Sequence, residues 1–514
     1  MKGDFTRDTF NPAKHFSRVL MQQGRVTLDA DWNEQSSILL HYLRTLARDL
    51  IGPYAAPVEN PGFVLTSGDN NSLLIGAGRY YVDGILVEND TECSYQTQPA
   101  YPVPDNDPFL KPSQGNEFWL YLDVWERHVT FIEDDSIREP ALGGPDTCTR
   151  SKIVWQIKAL PIDTVRNATT ERVVRLKKEQ ALLQKQLKTV EGASQKAIQA
   201  KLDVIKEKIA RIPPANEEEG TMACDIPLEN LLGPSAAMAA RVDPGIKTED
   251  ACVTPPDSKY RGAENQLYRV EIHTGSKDKN GNATTPTFKW SRDNGSVATA
   301  WLGGEGNNLQ VASTRGFTEG NWVELSDYNT ELLGQAGTLV QLVKVEGDSL
   351  SVDPATTLPP IGNYPANPSV RRWDYTATDA ISLADDNAIP IEESPAGATP
   401  DQIVWIDLED GVQIQFSAGG EYRTGNYWLI PARVATGKIE WPQADDLNPQ
   451  PLPPHGVEHH YAPLGFVSWD GEEWEITRNC QCDFEPMSSC FVRAAQAPDA
   501  PAKRPSVRKK KPTS

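Results

Sequence analysis

Apolar residues recur at two spacings along this chain, and each spacing predicts a different element. Between residues 33 and 51 they repeat every three or four positions, which predicts an amphipathic helix that ends at Gly52. We expect this helix to dock on the body of the protein. Over residues 25–31, Val26 and Leu28 alternate with polar residues, which predicts a half-buried strand before the helix.

Short alternating or apolar runs, separated by Gly, Pro, Asn and Asp, dominate the rest of the chain and predict strands. The run over residues 118–125 is typical of a core strand. Asn294 and Gly295 stand between two alternating runs, which predicts a β-hairpin. A series of short strands within residues 305–355 predicts a small β-barrel. The predicted fold class is therefore mainly β, built of several units, with an N-terminal helix.

Residues 166–214 follow a different pattern, because their apolar positions fall on steps of three and four with Lys, Glu and Gln between them. The step of eight from Val190 to Ile198 breaks the heptad at Gly192, and Ser194 can cap a new helix. We predict an inserted coiled-coil helical hairpin; one continuous helix in a parallel oligomeric coiled coil is the alternative. The predicted coiled-coil interface consists of Leu176, Leu183, Leu187, Val190, Ile198, Leu202, Ile205 and Ile209.

These patterns divide the 514 residues into several units, as expected because one hydrophobic core rarely organises more than about 250 to 300 residues. The predicted units are an N-terminal docking arm and strand (1–34), a helix plus β-rich domain (35–165), the helical hairpin (166–214), a linker (215–256), a β-hairpin region (257–304), the small β-barrel (305–355), a C-terminal β region (356–490) and a disordered basic tail (491–514).

Charge, hydropathy and cysteine content argue against several classes of protein. The formal net charge is −21, with 71 acidic and 50 basic residues, so we expect no nucleic-acid partner. No uncharged apolar run approaches the roughly 18 to 20 residues of a membrane helix, so we predict no direct membrane insertion. The seven cysteines are scattered and odd in number, which favours reduced thiols and synthesis in the cytoplasm. The basic tail contacts an acidic neighbour or only improves solubility.

Few residues suggest chemistry. Asp123 and Glu126 resemble the acid pair of a glycoside hydrolase, but such pairs arise by chance among 71 carboxylates. One concentration of metal-ligand residue types lacks the two Cys-x-x-Cys pairs of a zinc ribbon; it consists of His455, His459, His460, Cys480 and Cys482. We therefore predict no enzyme activity, no catalytic residue, no cofactor and no metal.

The first residues predict an interaction element. Residues 1–34 lack the uninterrupted apolar run of a secretory signal, so we expect them to stay on the mature protein as an extended arm. Its two phenylalanines are expected to bury in a groove of a neighbouring subunit, with the glycine allowing close backbone approach. The alternative is an arm that folds back on its own domain. The predicted partner-binding residues are Gly3, Asp4, Phe5, Thr6, Arg7 and Phe10.

Three stretches resemble one family: residues 3–10 with 18–35, residues 287–297, and residues 454–464. The first opens Gly-Asp-Phe-Thr-Arg-Asp-Thr-Phe, the second contains Trp-Ser-Arg-Asp-Asn-Gly-Ser, and the third contains Pro-His-Gly-Val-Glu-His-His-Tyr. The family is uncharacterised and is encoded beside contractile injection systems and phage-tail-like particles. The resemblance implies a particle component at or near the baseplate, and it implies no chemistry.

The predicted function is a structural subunit of such a particle, assembled in the cytoplasm and attached to the baseplate or spike region through the N-terminal arm. Its expected partners are other particle subunits of the baseplate, the spike or the region near the sheath. Self-association, release from the cell and membrane association through partners stay open. The alternative is a receptor- or glycan-binding module of the tail-fibre kind, with residues 371–375 as its exposed surface, although a strand that packs Trp373 on the core explains this run equally well. A cell-wall hydrolase acting through Asp123 and Glu126 is a weaker alternative.

Overall fold

The fold is mainly β, as predicted. The computed structural model describes residues 1–144, 146–187, 235–244, 259–278, 281–356, 358–377, 381–395, 402–443 and 449–486, with scattered residues between 195 and 233. The described helices are α1 (Asp29–Ile51), α2 (Ile162–Leu187) and α3 (Tyr328–Leu332). The described strands are β1 (Tyr54–Pro57), β2 (Leu65–Ser67), β3 (Leu73–Ile75), β4 (Gly78–Val82), β5 (Ile85–Asn89), β6 (Cys93–Ser94), β7 (Glu117–Val129), β8 (Arg150–Pro161), β9 (Met238–Val242), β10 (Gln266–Ile272), β11 (Thr287–Ser291), β12 (Ala298–Gly303), β13 (Asn308–Val311), β14 (Trp322–Ser326), β15 (Thr338–Glu346), β16 (Ser349–Val352), β17 (Ser369–Trp373), β18 (Ile389–Pro390), β19 (Ile406–Asp407), β20 (Val412–Phe416), β21 (Tyr427–Arg433), β22 (Lys438–Ile439), β23 (His459–Trp469), β24 (Trp474–Asn479) and β25 (Asp483–Phe484).

Strands from the two ends of the chain form one unit. The long strand β7 pairs antiparallel with β8 and with β23 in a sheet of order β24-β23-β7-β8. A second sheet has the order β25-β1-β4-β5, and a third the order β2-β3-β6. Their apolar faces share a core that includes Phe63, Tyr80, Trp155 and Trp474. Strands β23 and β25, which the sequence patterns group with the C-terminal region, therefore pair with the N-terminal strands β7 and β1.

The middle of the chain forms two further cores. A five-stranded sheet of order β18-β11-β10-β21-β22 and a three-stranded sheet of order β19-β20-β9 enclose Tyr268, Phe288, Phe416 and Trp428. Strands β12 to β17 close into a six-stranded barrel of order β12-β13-β16-β15-β14-β17. The barrel includes more of the sequence than the predicted residues 305–355, because β12 and β17, which lie outside that range, pair and close it.

Helix α1 begins earlier than predicted, so the strand expected over residues 25–31 is wrong. Asp29 and Asp31 lie in the first turn of the helix, where carboxylates complement the positive end of the helix dipole. Val26 is 84% exposed and has no sheet surface to cover. Alternation over so few residues therefore did not indicate a strand.

Helix α1 docks on the body of the protein through the side that carries Ile38 and Arg44. Ile38 is buried, Arg44 forms an ion pair with Glu126, and Arg48 Nε lies 3.6 Å from Asp83 Oδ1. The helix backbone approaches Gly84 so closely that a Cβ there would lie 2.1 Å from the Arg44 carbonyl oxygen. Most of the apolar face of the helix points to solvent, which the period alone did not predict.

The predicted helical hairpin is described in part. Helix α2 covers its first half, and Val190 lies outside the described residues. The antiparallel hairpin stays a prediction. Of its predicted interface, Leu176, Leu202 and Ile205 are buried, and Leu183, Leu187, Ile198 and Ile209 are half-buried. Most of the linker and the whole basic tail lie outside the described residues.

Two cysteines are bonded, which corrects the expectation of reduced thiols for this pair. Cys224 and Cys480 form a disulfide across a sequence separation of 256 residues. The bond lies in a cluster with Trp119, Ile162 and Phe466. It ties the chain that follows the helical insert to the loop between β24 and β25. Scattered positions in the sequence gave no sign of this pairing.

Candidate functional site

The three stretches that carry the family resemblance meet at one place, between the five-stranded sheet and the barrel. Asn294 Nδ2 donates to the carbonyl oxygens of Met1 (3.1 Å) and Gly3 (2.9 Å). The Tyr427 hydroxyl accepts from the Met1 nitrogen at 2.5 Å, and the Tyr427 N–H donates to the Gly456 carbonyl at 2.9 Å. We call this place the junction; its residues are Met1, Lys2, Gly3, Arg269, Glu271, Lys289, Asn294, Glu324 and Tyr427.

The Asn-Gly turn leads into the junction and does not make the predicted hairpin. Strand β11 pairs with β10 and β18, whereas β12 pairs with β13 and β17, so the two runs belong to different sheets. Asn294 (φ 52°) and Gly295 (φ 62°) do adopt the left-handed conformation that such turns need. Ser291 Oγ accepts from the Gly295 N–H at 3.1 Å and holds the turn away from a hairpin path. The hairpin prediction is wrong, and the turn instead presents Asn294 to the N-terminal residues.

A charged sheet face forms the floor of the junction. Tyr268 and Val270 of β10 face the apolar core, so the alternate residues Arg269 and Glu271 face the other side. Lys289 stands directly across from Glu271 on β11. Alternation of this kind usually marks a solvent face, yet Arg269, Glu271 and Lys289 are each 2% exposed. The barrel covers them.

Ion pairs join the N-terminal segment, the sheet and the barrel. Glu271 lies 2.6 Å from Arg269 Nε, 3.2 Å from Lys2 Nζ and 3.5 Å from Lys289 Nζ. Lys289 Nζ reaches across to Glu324 of β14 at 2.5 Å. Trp373 Nε1 donates to the other oxygen of Glu324 at 3.0 Å. Each of these buried carboxylates is therefore paired, as buried charges must be.

The protonation states follow from burial and from these pairs. Burial alone would raise the pKa of Glu271, but Lys2, Arg269 and Lys289 hold that pKa well below its usual value. Burial opposes ionisation of Glu324 too, and Lys289 with Lys2 lowers its pKa to about 2. Burial lowers the pKa of Lys2, against the pull of Glu271. Glu271 and Glu324 are therefore ionised at neutral pH.

A buried histidine borders the network. Burial and the charge of Lys289 lower the pKa of His273 to about 4. Lys289 Nζ lies 3.3 Å from His273 Nδ1, where a neutral ring can accept a hydrogen bond. His273 is therefore neutral in the folded protein at pH 7.

Beyond Gly3 the arm runs over its own chain, as in the alternative that the sequence left open. Phe5 packs edge-on against His128, and Phe10 lies 5.6 Å from the His41 ring of α1. The arm is also fastened by Thr6, whose N–H donates to Asp29 Oδ2 at 2.8 Å, and by Arg7, whose Nη1 lies 2.6 Å from Glu440 Oε1. Gly3 is buried, Phe5, Arg7 and Phe10 are half-buried, and Asp4 and Thr6 are exposed. Contact of these residues with another subunit stays a prediction.

The metal-ligand residue types near the C-terminal end have other partners. His459 Nδ1 lies 2.6 Å from Asp123 Oδ1, His460 Nδ1 lies 3.0 Å from Asp83 Oδ2, and His455 Nδ1 accepts from the Leu429 N–H at 3.0 Å. Cys480 is in the disulfide, and Cys482 is exposed. In the described part of the chain, no three such groups lie close enough together to hold a metal ion.

The two carboxylates of the hydrolase alternative lie on opposite faces of β7, three residues apart. Asp123 is buried against Lys158 Nζ at 2.7 Å. Burial would raise the pKa of Asp123, but Lys158 and His459 hold it well below its usual value. Glu126 accepts from Ser151 Oγ at 2.7 Å and pairs with Arg44. This geometry does not form an acid pair around one substrate bond.

The aromatic residues of the surface proposed for glycan binding are buried, which corrects the expectation that they are exposed. Trp373 is 0% exposed and Tyr375 is 1% exposed. Arg372 Nε lies 3.0 Å from Asp374 Oδ1, which is also buried. Trp373 borders the junction, and the centroid of its ring lies 4.5 Å from Lys289 Nζ. No described aromatic of this run is available to stack on a sugar.

Sequence reasoning located the three stretches but missed the residues that join them. Arg269, Glu271 and Glu324 looked like the outward positions of half-exposed strands, and Tyr427 looked like a strand residue. One signal was present: charges of both signs alternate with large apolar residues on neighbouring strands. This alternation alone does not show whether the charged face of the sheet is exposed or is covered by another part of the protein.

Comparisons with known proteins assign the chain to a family. The chain belongs to the family described as "Family of unknown function (DUF6519)", whose model matches residues 1–510. No curated protein matches the chain significantly. A solved structure described as "Crystal structure of TssK" shares 7% identity, covering 81% of this chain and 99% of that chain, with a TM-score of 0.15. That TM-score is too low for any inference about this chain.

None of the described helices combines the length and the apolar character that a membrane-crossing helix needs.

Proposed function

We propose that this protein is a structural subunit of a contractile injection system or a phage-tail-like particle, held near the baseplate or spike by its N-terminal arm. The resemblance to a family encoded beside such particles suggests the setting. The observation that carries the proposal is the convergence of the three resembling stretches on the junction. The junction serves to attach the arm, because its described charges are paired with one another.

An attachment arm must be fixed to its own body at one end. Lys2 and the carbonyl groups of Met1 and Gly3 fix this end, since each is bound inside the junction. Asp4 and Thr6 face solvent just beyond it. We therefore propose that a neighbouring subunit covers the outer side of the arm, with Phe5 and Phe10 completing a shared apolar contact. The arm stays on its own body while it binds.

Particles purified from the native lysate, with and without this protein, test the function. We expect density near the baseplate or spike to be lost with the chain. Particles that never contain the protein would contradict the proposal.

A double variant tests the arm. Phe5→Ala with Phe10→Ala removes the half-buried rings and leaves Met1 to Gly3 seated, so we expect reduced occupancy on particles with a nearly unchanged Tm. Phe16→Ala, at a 54% exposed phenylalanine outside the predicted set, is the matched control. Normal stoichiometry of the double variant would show that the arm does not attach the subunit.

A further inference from the structure

The outward face of α1 carries a continuous row of large apolar side chains. Their exposed fractions are 73% for Trp32, 54% for Leu39, 62% for Leu43, 57% for Leu46 and 64% for Leu50. We call this row, which also includes Ser36, the apolar seam. Leu40 and Tyr42 flank it and are 44% and 51% exposed. An ordinary surface helix turns such a row toward its own core, so this face is built for contact with another surface.

The spacing of the seam specifies the shape of that surface. From position 32 to position 50 its members follow at steps of four, three, four, three and four, which is the a/d pattern of a coiled coil. The 23 residues of α1 span about 34 Å. A row of this kind packs knobs into the holes of another helix. A helix with its own apolar seam is therefore the matching partner.

The exposed area is larger than a monomer normally shows. Seven side chains that are each about half exposed present on the order of 800 Å² of apolar surface. The largest apolar patch of a typical monomer is about 300 to 600 Å², and a stable interface buries about 800 Å² per partner. The seam of one chain and the seam of a second copy thus supply the area that a dimer needs.

Charge favours a second copy in the antiparallel orientation. The positions beside the seam are Asn33, Gln35, Leu40, Tyr42, Ala47 and Asp49, so a single charge flanks it. This matters because the whole chain carries −21 and two copies repel elsewhere. A parallel pair would bring together the acidic first turns that contain Asp29 and Asp31. An antiparallel pair separates those turns and opposes the two helix dipoles.

We propose that two copies of this chain pair through the apolar seams of their α1 helices, antiparallel about a twofold axis. In this arrangement the central layers pair Leu39 of one copy with Leu43 of the other, and the next layers pair Ser36 with Leu46. Leu40 and Tyr42 lie next to the axis. The interface is isologous, as in most homodimers. This assembly goes beyond the proposed attachment to a particle and does not depend on it.

Sedimentation of the full chain over a range of concentrations tests the dimer. We expect a dissociation constant on the order of micromolar or tighter. Leu39→Glu with Leu46→Glu buries charges in the seam and should weaken the dimer by at least about 100-fold, with an unchanged circular dichroism spectrum and Tm of the monomer. Leu142→Glu is the matched control, because Leu142 is 69% exposed and lies away from α1.

Cross-linking tests the orientation, in a background where the exposed thiols Cys148 and Cys482 are replaced by serine. The double variant Ser36→Cys with Leu46→Cys should form a covalent dimer, and neither single variant should. Cross-linking by each single variant would overturn the antiparallel arrangement. A wild-type chain that stays monomeric at about 100 µM, or a dimer that survives both glutamates, would overturn the proposal and leave the seam to a different protein.

Discussion

Glu271 is the residue on which the junction depends most. Its two oxygens face Arg269, Lys2 and Lys289 within 3.5 Å, and its side chain is almost fully buried. Three cations in a buried space are tolerated only while an anion lies among them. The carboxylate therefore holds together groups from the N-terminal segment, β10 and β11.

Replacing this anion is expected to destabilise the fold. Glu271→Gln keeps the size of the side chain and removes its charge, so the free energy of unfolding should fall by about 3 to 5 kcal/mol. Urea denaturation followed by fluorescence measures the change. The matched control is Glu346→Gln, which breaks an exposed pair with Lys344 and should leave stability nearly unchanged. Equal stability of the two variants would mean that the junction charges are not coupled.

His273 predicts a dependence of stability on pH. Its pKa is about 4 in the folded protein, because of burial and Lys289, with Glu324, Asp386 and Glu271 acting in the other direction. In the unfolded chain the pKa is about 6.5. Between these values the unfolded chain binds a proton that the folded chain does not, so stability falls as pH drops from about 6.5 to about 4.

Denaturation at pH 6.5 and at pH 5 measures this contribution. We expect His273 to account for a loss of about 2 kcal/mol over that interval. His273→Gln should flatten the dependence, whereas His15→Gln, at an exposed histidine, should keep the wild-type slope. A variant at position 273 with the full wild-type slope would contradict the assignment.

At the scale of elements, local patterns identified the kind of element better than its partner. Residues 118–125 do form a core strand inside β7, and a barrel does follow residue 298. The Asn-Gly signal predicted the turn conformation correctly and the strand pairing wrongly. In the structure the turn bonds Ser291 and the N-terminal residues, and the strands on its two sides belong to different sheets. For α1 the apolar period correctly predicted a helix, but most of its apolar side chains are exposed. Period reports that one face is apolar, and it does not report what covers that face.

At the scale of the whole molecule, the disulfide joins distant parts of the chain. Cys224 and Cys480 close a loop of 256 residues, and a cross-link of that length restricts the unfolded chain strongly. Cys224→Ser should lower the free energy of unfolding by about 2 to 5 kcal/mol under non-reducing conditions. Reductant should lower wild-type stability to the same level. Cys148→Ser, at an exposed free thiol, is the control, and an equal effect of the two variants would contradict the prediction.

Local sequence patterns were sufficient to predict the mainly β class, helix α1 with its end at Gly52, and the small barrel, and to single out the three stretches that carry the family resemblance. These features depend on periodicity and on turn residues, which act over a few neighbours. Tertiary structure alone decided that β23 pairs with β7, that the charged face of β10 is buried, and that the apolar seam of α1 faces outward. Each of these depends on which surfaces come together across hundreds of residues, and no local spacing records that contact.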